Sequence, residues 1–264
     1  MGELLMKHFL TTTVLTLCAT FCFARELYVT NNWQNACIKE LYYATDNTKA
    51  IPHKTKVHFR HDGKNLIIRA VMDVKKDYPF PALTNRNGTW PSSESIEIFI
   101  DPGADGKGYY QIAVGMNGDR FDNRYVKKAW KANWKSQVKH APGQWIAEIT
   151  IPYPAKTNFC SGFNFCRNVK NDGEYYSTWA KVGAVFHNPG KFGKLYLGSK
   201  ADVDKIVRKA EFERAGKLKV KARKLKVEKE FPHLFANQFN MQKLQHIADE
   251  LEMIEAMQNS GIKQ

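Results

Sequence analysis

The chain has 264 residues, 43% of them hydrophobic and 12% aromatic. That is enough apolar material for a sizeable packed core, and it excludes an intrinsically disordered chain. Forty Lys and Arg against 26 Asp and Glu give a formal net charge of +14, which favours anionic surroundings such as acidic glycans, nucleic acid or a membrane surface without specifying a fold.

At the N-terminus, Lys7 and His8 precede an apolar run from Phe9 to Phe23, which ends at Ala24 before the polar Arg25 and Glu26. This is the pattern of a Sec-type signal peptide, so a secreted or periplasmic protein cleaved near Ala24 is expected, with Met6 as an alternative start. No later segment approaches the roughly 18 apolar residues of a transmembrane helix. Cys18 and Cys22 follow the bulky Leu17 and Phe21, a poor fit to a lipoprotein cleavage site. The mature chain keeps Cys37, Cys160 and Cys166, so at most one intramolecular disulfide is expected, its pairing left open. Cys166 also reads as a small buried residue of a strand over 163–167.

Residues 56–60 and 64–74 flank Asp62-Gly63 and read as a hairpin, with Leu66, Ile68, Ala70 and Met72 sharing one face. Residues 75–95, rich in Pro, Asn, Gly and Ser, form a long loop that delivers Trp90. Ile96, Ile98 and Ile100 then alternate with Glu97, Phe99 and Asp101, the period of a strand with one face in a core. The turn formers of 101–108 reverse the chain into a second strand, Tyr109 to Val114. The hairpin therefore carries a Trp and a carboxylate onto one accessible surface.

A further strand is expected within Gly118–Tyr125. The basic segment 127–139 places Trp130 and Trp134 four apart, which suits a helical turn or simple packing. From Gln144 to Ile151 the alternation returns with Trp145, Ala147, Ile149 and Ile151 inward, and Pro152 and Pro154 stop the strand. Strands over 162–169 and 175–180, the latter carrying Trp179, and a closing Leu195-Tyr-Leu197 complete an all-β antiparallel sandwich, immunoglobulin- or jelly-roll-like, over residues 25–199. After Gly198 the composition shifts: Arg214 to Lys226 holds seven basic residues and no acidic one, and Leu244, Ile247, Ala248, Leu251, Ile254 and Met257 recur at helical spacing behind an Asn240 cap. Residues 200–264 thus read as a basic helical extension of two helices broken near Pro232, suited to self-association or a protein partner.

Trp90 before Ser95-Ile-Glu-Ile-Phe-Ile-Asp-Pro102, then Tyr109-Tyr-Gln111, Trp145 to Pro152, Gly162 to Asn168, Trp179, and 186–193 before Leu195-Tyr-Leu-Gly198 resemble, in order and spacing, the family 9 carbohydrate-binding modules over about residues 28–199. A sugar ring offers an apolar C–H face and a rim of hydroxyls, met by aromatic rings and by planar polar side chains. The resemblance implies that Trp90 and Trp179 clamp a terminal sugar of a glucan or xylan chain, with Glu97, Gln111, Arg167 and Asn168 reading its hydroxyls. Glu94 and Arg124 are secondary candidates, and the chain departs from the acidic loop familiar after the Trp. Relatives carry structural calcium, for which Asp101, Asp105 and backbone carbonyls in the turn between them offer oxygen ligands.

Hydrolysis of glycans needs two carboxyls about 5 to 9.5 Å apart. Glu97 and Asp101 lie four residues apart on one strand face, about 13 Å, and Glu94 points the other way. A non-catalytic binding module that assists polysaccharide breakdown is therefore expected, with no nucleic-acid partner. Two alternatives stand beside it. One is a b-type haem electron-transfer sandwich with ligands among Met72, Met116 and His187; the other is anionic-polymer binding through the basic extension.

Overall fold

The computed structural model describes residues 25–125, 133–153, 160–170 and 173–260. The expected signal segment and Trp130 lie outside the described residues. Strands β1 (Glu26–Val29), β2 (Ala36–Ile38), β3 (Tyr42–Tyr43), β4 (Thr55–His61), β5 (Asn65–Asp73), β6 (Ser95–Asp101) and β7 (Tyr110–Gly115) are followed by β8 (Arg120–Arg124), β9 (Lys135–Ala141), β10 (Gln144–Pro152), β11 (Cys160–Val169), β12 (Tyr175–Thr178) and β13 (Gly193–Leu197). They build two sheets. The larger runs β1-β13-β11-β6-β7-β8, with β12 and then β3 continuing from β11; the smaller runs β2-β4-β5-β10-β9. Among the described strands the expected antiparallel pairing holds except between β1 and β13, which run parallel.

Alternation sets the interior. Ile96, Ile98 and Ile100 of β6 and Phe163 and Phe165 of β11 join Leu66, Ile68, Ala70, Met72, Trp145, Ala147 and Ile149 in one buried cluster. Burial of each larger aliphatic or aromatic side chain contributes about 1.5–3 kcal/mol. Every residue of β6 is buried, so loops cover part of the larger sheet's outer face as well. The basic segment 127–139 does not end as a helical turn: from Lys135 it is β9, paired with β10 from Ala141↔Gln144 to Lys135↔Thr150.

The described chain divides into two compact units, the second beginning at Gly198. In it, α1 (Lys200–Lys224), a one-turn α2 (Pro232–Phe235) and α3 (Met241–Asn259) surround Ala215, Leu218, Ala222, Leu234, Leu244, Ile247 and Leu251. Ser199 Oγ caps α1 by accepting from Asp202 N at 3.2 Å, and Asn240 Oδ1 caps α3 by accepting from Lys243 N at 2.9 Å. The expected break falls between α1 and α3, where Pro232 opens the extra short helix. Cys37, Cys160 and Cys166 are all thiols, and Cys166 is buried in its strand.

Candidate functional site

The outer face of the larger sheet gathers most of the expected polar residues. Glu97 faces away from the isoleucines, and strand register puts Gln111 of β7, Phe121 and Asn123 of β8, Asn168 of β11 and Tyr176 of β12 on the same face. Gln111 Nε2 donates to Glu97 Oε2 and Asn168 Nδ2 donates to Glu97 Oε1, both at 2.6 Å. Asn168 Nδ2 also reaches Ser95 Oγ at 3.2 Å, which leaves Asn168 Oδ1 buried without a protein partner. All three side chains are nearly closed to solvent. Burial pushes the Glu97 carboxyl above its ordinary range, against the opposing pull of the two amides and of His187.

Aromatic rings rim this recessed polar floor. Tyr125 stacks on Tyr109 at 4.6 Å between centroids, and its hydroxyl lies 3.5 Å from Gln111 Oε1. The Tyr109 hydroxyl pairs with His187 Nδ1 at 2.8 Å, and burial together with Tyr125 pushes its pKa up to about 12. Tyr176 stands over the edge of Phe186, and Trp90 stands against Phe121 at 5.1 Å. Trp90, Tyr125 and Tyr176 are 45%, 42% and 53% exposed.

The loop that carries Trp90 is held in place. Arg86 grips Asp119 through Nε at 3.1 Å and Nη2 at 2.6 Å, Thr84 Oγ1 donates to the same carboxylate at 2.6 Å, and Thr89 N donates to Arg120 O at 3.1 Å. Pro91 then crosses the sheet over Gly115, where a Cβ would stand 2.8 Å from Pro91 Cβ. A glycine in β7 is what lets the loop lie on this face.

Two expected ligand contacts are corrected. Trp179 does not oppose Trp90: its ring is 6% exposed, packs edge-on against Phe163 at 5.9 Å, and lies on the Gly193 backbone, where a Cβ would meet its Cη2 at 2.6 Å. Arg167 shares the parity of Phe163 and Phe165 and is wholly buried between the sheets. Its Nη2 pairs with Glu94 Oε1 at 2.6 Å and with Asp73 O at 2.6 Å, and its Nη1 donates to Thr55 Oγ1 at 2.9 Å. Trp145 Nε1 donates to the same Glu94 oxygen at 2.8 Å. Glu94 and Arg167 thus staple one sheet to the other. Arg124 is half-buried on β8 opposite Tyr110.

Asp101 and Asp105 do not fit a calcium site. Asp101 Oδ1 and Oδ2 accept from Gly103 N at 3.1 Å and Gly106 N at 2.8 Å, Asp105 Oδ1 accepts from Lys107 N at 3.0 Å, and the Lys194 ammonium donates to Ala104 O at 3.0 Å. A lysine cation already meets the turn's carbonyl oxygen, and no group of three His, Cys, Asp or Glu converges among the described residues. The haem candidates do not fit an axial pair either. Met72 and Met116 are fully buried in the core, whereas His187 is exposed on the outer face.

Tyr125, Tyr176 and His187 were not singled out as sugar-contacting residues from the sequence. Period-two spacing does signal two of them: Tyr125 keeps the parity of Asn123, and Tyr176 pairs with Asn168. Carbonyl, carboxylate and amide groups beneath exposed rings can hold hydroxyls while the rings cover C–H faces. Among the described residues, Glu97 lacks a second carboxyl on its strand face within hydrolytic range, since Asp101 lies about 13 Å along β6 and is tied into its turn.

The descriptive model of carbohydrate family 9 binding domain-like proteins matches residues 28–200. Solved structures similar to this chain include a family 9 carbohydrate-binding module from Caldicellulosiruptor kristjanssonii in complex with cellotriose, at 18% identity over 67% of this chain and 96% of that one, with a TM-score of 0.48. A structure of such a module from the same organism in complex with glucose is 19% identical over 67% and 98%, also with a TM-score of 0.48. No curated protein matches the chain. With well over half its length matched, the chain belongs to the carbohydrate family 9 binding domain-like family, whose members bind carbohydrate.

Proposed function

We propose that the protein binds, and does not cleave, neutral glucan- or xylan-like oligosaccharide on the outer face of its larger sheet, as an exported accessory to polysaccharide breakdown. The observation that carries this reading is the Glu97–Gln111–Asn168 cluster recessed beneath Trp90, Tyr125 and Tyr176. Glu97 uses two of about four acceptor positions on the amides, which leaves the others for hydroxyls. A buried carboxylate at the floor repels an acidic sugar, which argues for a neutral ligand. The strands of Tyr176 and Phe121 are four intervals apart, about 19 Å, so the rings flank a short run of sugar units and do not pinch one ring.

Calorimetric titration with cello- and xylo-oligosaccharides tests the reading. Saturable binding without release of reducing sugar is expected. Absence of binding to both series, or hydrolysis of either, would overturn it. Removal of residues 1–24 near Ala24 on export, and association through residues 200–264, complete the proposal.

A further inference from the structure

The smaller sheet has an outer face of its own. Three successive rows of paired residues cross β4, β5, β10 and β9 there. The first runs Lys56, Val71, Ile146, Lys139; the second His58, Arg69, Glu148, Gln137; the third Arg60, Ile67, Thr150, Lys135. Four cations therefore mark the corners of a field about 13 Å along the strands and about 14 Å across them. Lys56, Lys135 and Lys139 are exposed and have no acidic partner among the described residues. Arg60 lies over the Trp33 ring, 5.1 Å from its centroid.

In these rows the only carboxylate is Glu148, and it faces Arg69 at 3.7 Å, both about half-exposed. Beyond the rows, Asp73 accepts from Gln144 Nε2 at 2.9 Å, and Asp62 caps the β4–β5 turn through Lys64 N and Asn65 N. Asp62 partly offsets the Arg60 corner, whereas neither carboxylate meets Lys56, Lys135 or Lys139. The excess charge also resides mainly in this part of the chain: residues 25–197 hold 25 Lys and Arg against 15 Asp and Glu, and residues 198–264 hold 14 against 10.

We infer that this face binds an acidic polysaccharide, a chain of sugars bearing carboxylates, independently of the Trp90 face. Charge complementarity selects the anion. The half-buried Val71, Ile146 and Ile67 between the corners make a flat apolar floor suited to the C–H faces of successive sugar rings. Among the described residues no exposed large apolar side chain lies on this face, so they offer nothing that would enter a lipid surface. The face's one neighbouring indole among the described residues is covered by Arg60, so these residues offer no open stacking ring of the kind a single-strand nucleic-acid platform uses.

The test uses the whole mature protein with sodium polygalacturonate, its fully methyl-esterified form, anionic phospholipid vesicles and oligodeoxythymidine as probes. Binding to polygalacturonate that falls steeply as salt passes about 0.15 M, and weak binding to the methyl ester, are expected. Replacing Lys56, Lys135 and Lys139 together by Gln should weaken polygalacturonate binding about tenfold with the circular dichroism spectrum unchanged. Trp90→Ala, or Gln at the exposed Lys205, Lys217 and Lys224 of the helical unit, should leave it unaltered. Undiminished binding by the sheet variant, a larger loss from the helical-unit variant, equal binding of the methyl ester, or tighter binding to vesicles or oligodeoxythymidine would each overturn the inference.

Discussion

Asn168 Nδ2 lies 2.6 Å from Glu97 Oε1 across adjacent antiparallel strands, and neither side chain has a basic residue as a hydrogen-bond partner. Burial outweighs the two amides and His187, so the Glu97 carboxyl keeps its raised pKa. The folded state then binds the Glu97 proton more tightly than the unfolded chain does. Its contribution to stability is present below the unfolded carboxyl range near 4.5 and is lost as pH rises through the folded value. Ligand binding should run the opposite way, because the ionised carboxylate is the hydroxyl acceptor. Oligosaccharide affinity is expected to fall on acidification while the pH is still above 4.5, and Glu97→Gln should flatten both profiles. Calorimetry and thermal melts across that range check it.

Trp90 and Trp179 should separate cleanly. Loss of one exposed stacking ring in Trp90→Ala removes about 1 kcal/mol of binding, roughly fivefold in Kd, with little change in Tm. Trp179→Ala empties a core position and should cost about 3–5 kcal/mol of stability. Chemical denaturation alongside oligosaccharide titration distinguishes them; a folded Trp179→Ala with lost affinity and wild-type stability would return that ring to the site.

Arg167 and Glu94 form a buried pair that spans the two sheets. Arg167→Met leaves Glu94 as an unpaired buried charge and should destabilise by about 3–5 kcal/mol. A double variant that also carries Glu94→Gln should recover part of that loss, because no uncompensated charge remains. Urea unfolding of the wild type, the two single variants and the double variant measures the coupling.

Lys194 reaches into the 101–108 turn to the Ala104 carbonyl. Chelator should therefore leave Tm unchanged, and added calcium should not raise it. Lys194→Met should lower Tm modestly by removing a charge-assisted hydrogen bond, about 1.5–3 kcal/mol at most. A melt in EDTA that drops by several degrees would show that an ion holds this turn.

Strand periodicity alone was sufficient to place Glu97 opposite Ile96, Ile98 and Ile100, to send Trp145 inward, and to end the sandwich before a helical extension capped at Asn240. These follow from local geometry, since side chains alternate across a strand and return every three or four residues on a helix. The parity of Phe163, Phe165 and Arg167 also pointed Arg167 inward, although a guanidinium is ordinarily read as exposed; only the carboxylate of Glu94, 73 residues away, makes its burial tolerable. Other placements needed tertiary contacts. Trp179 is buried because Gly193 leaves room for its ring, and Trp90 reaches the outer face because Gly115 admits Pro91 and Asp119 holds Arg86. Period-two spacing tells which side of its own strand a residue takes, whereas the residue it meets there is decided by strand order and register, which pair residues far apart in the chain.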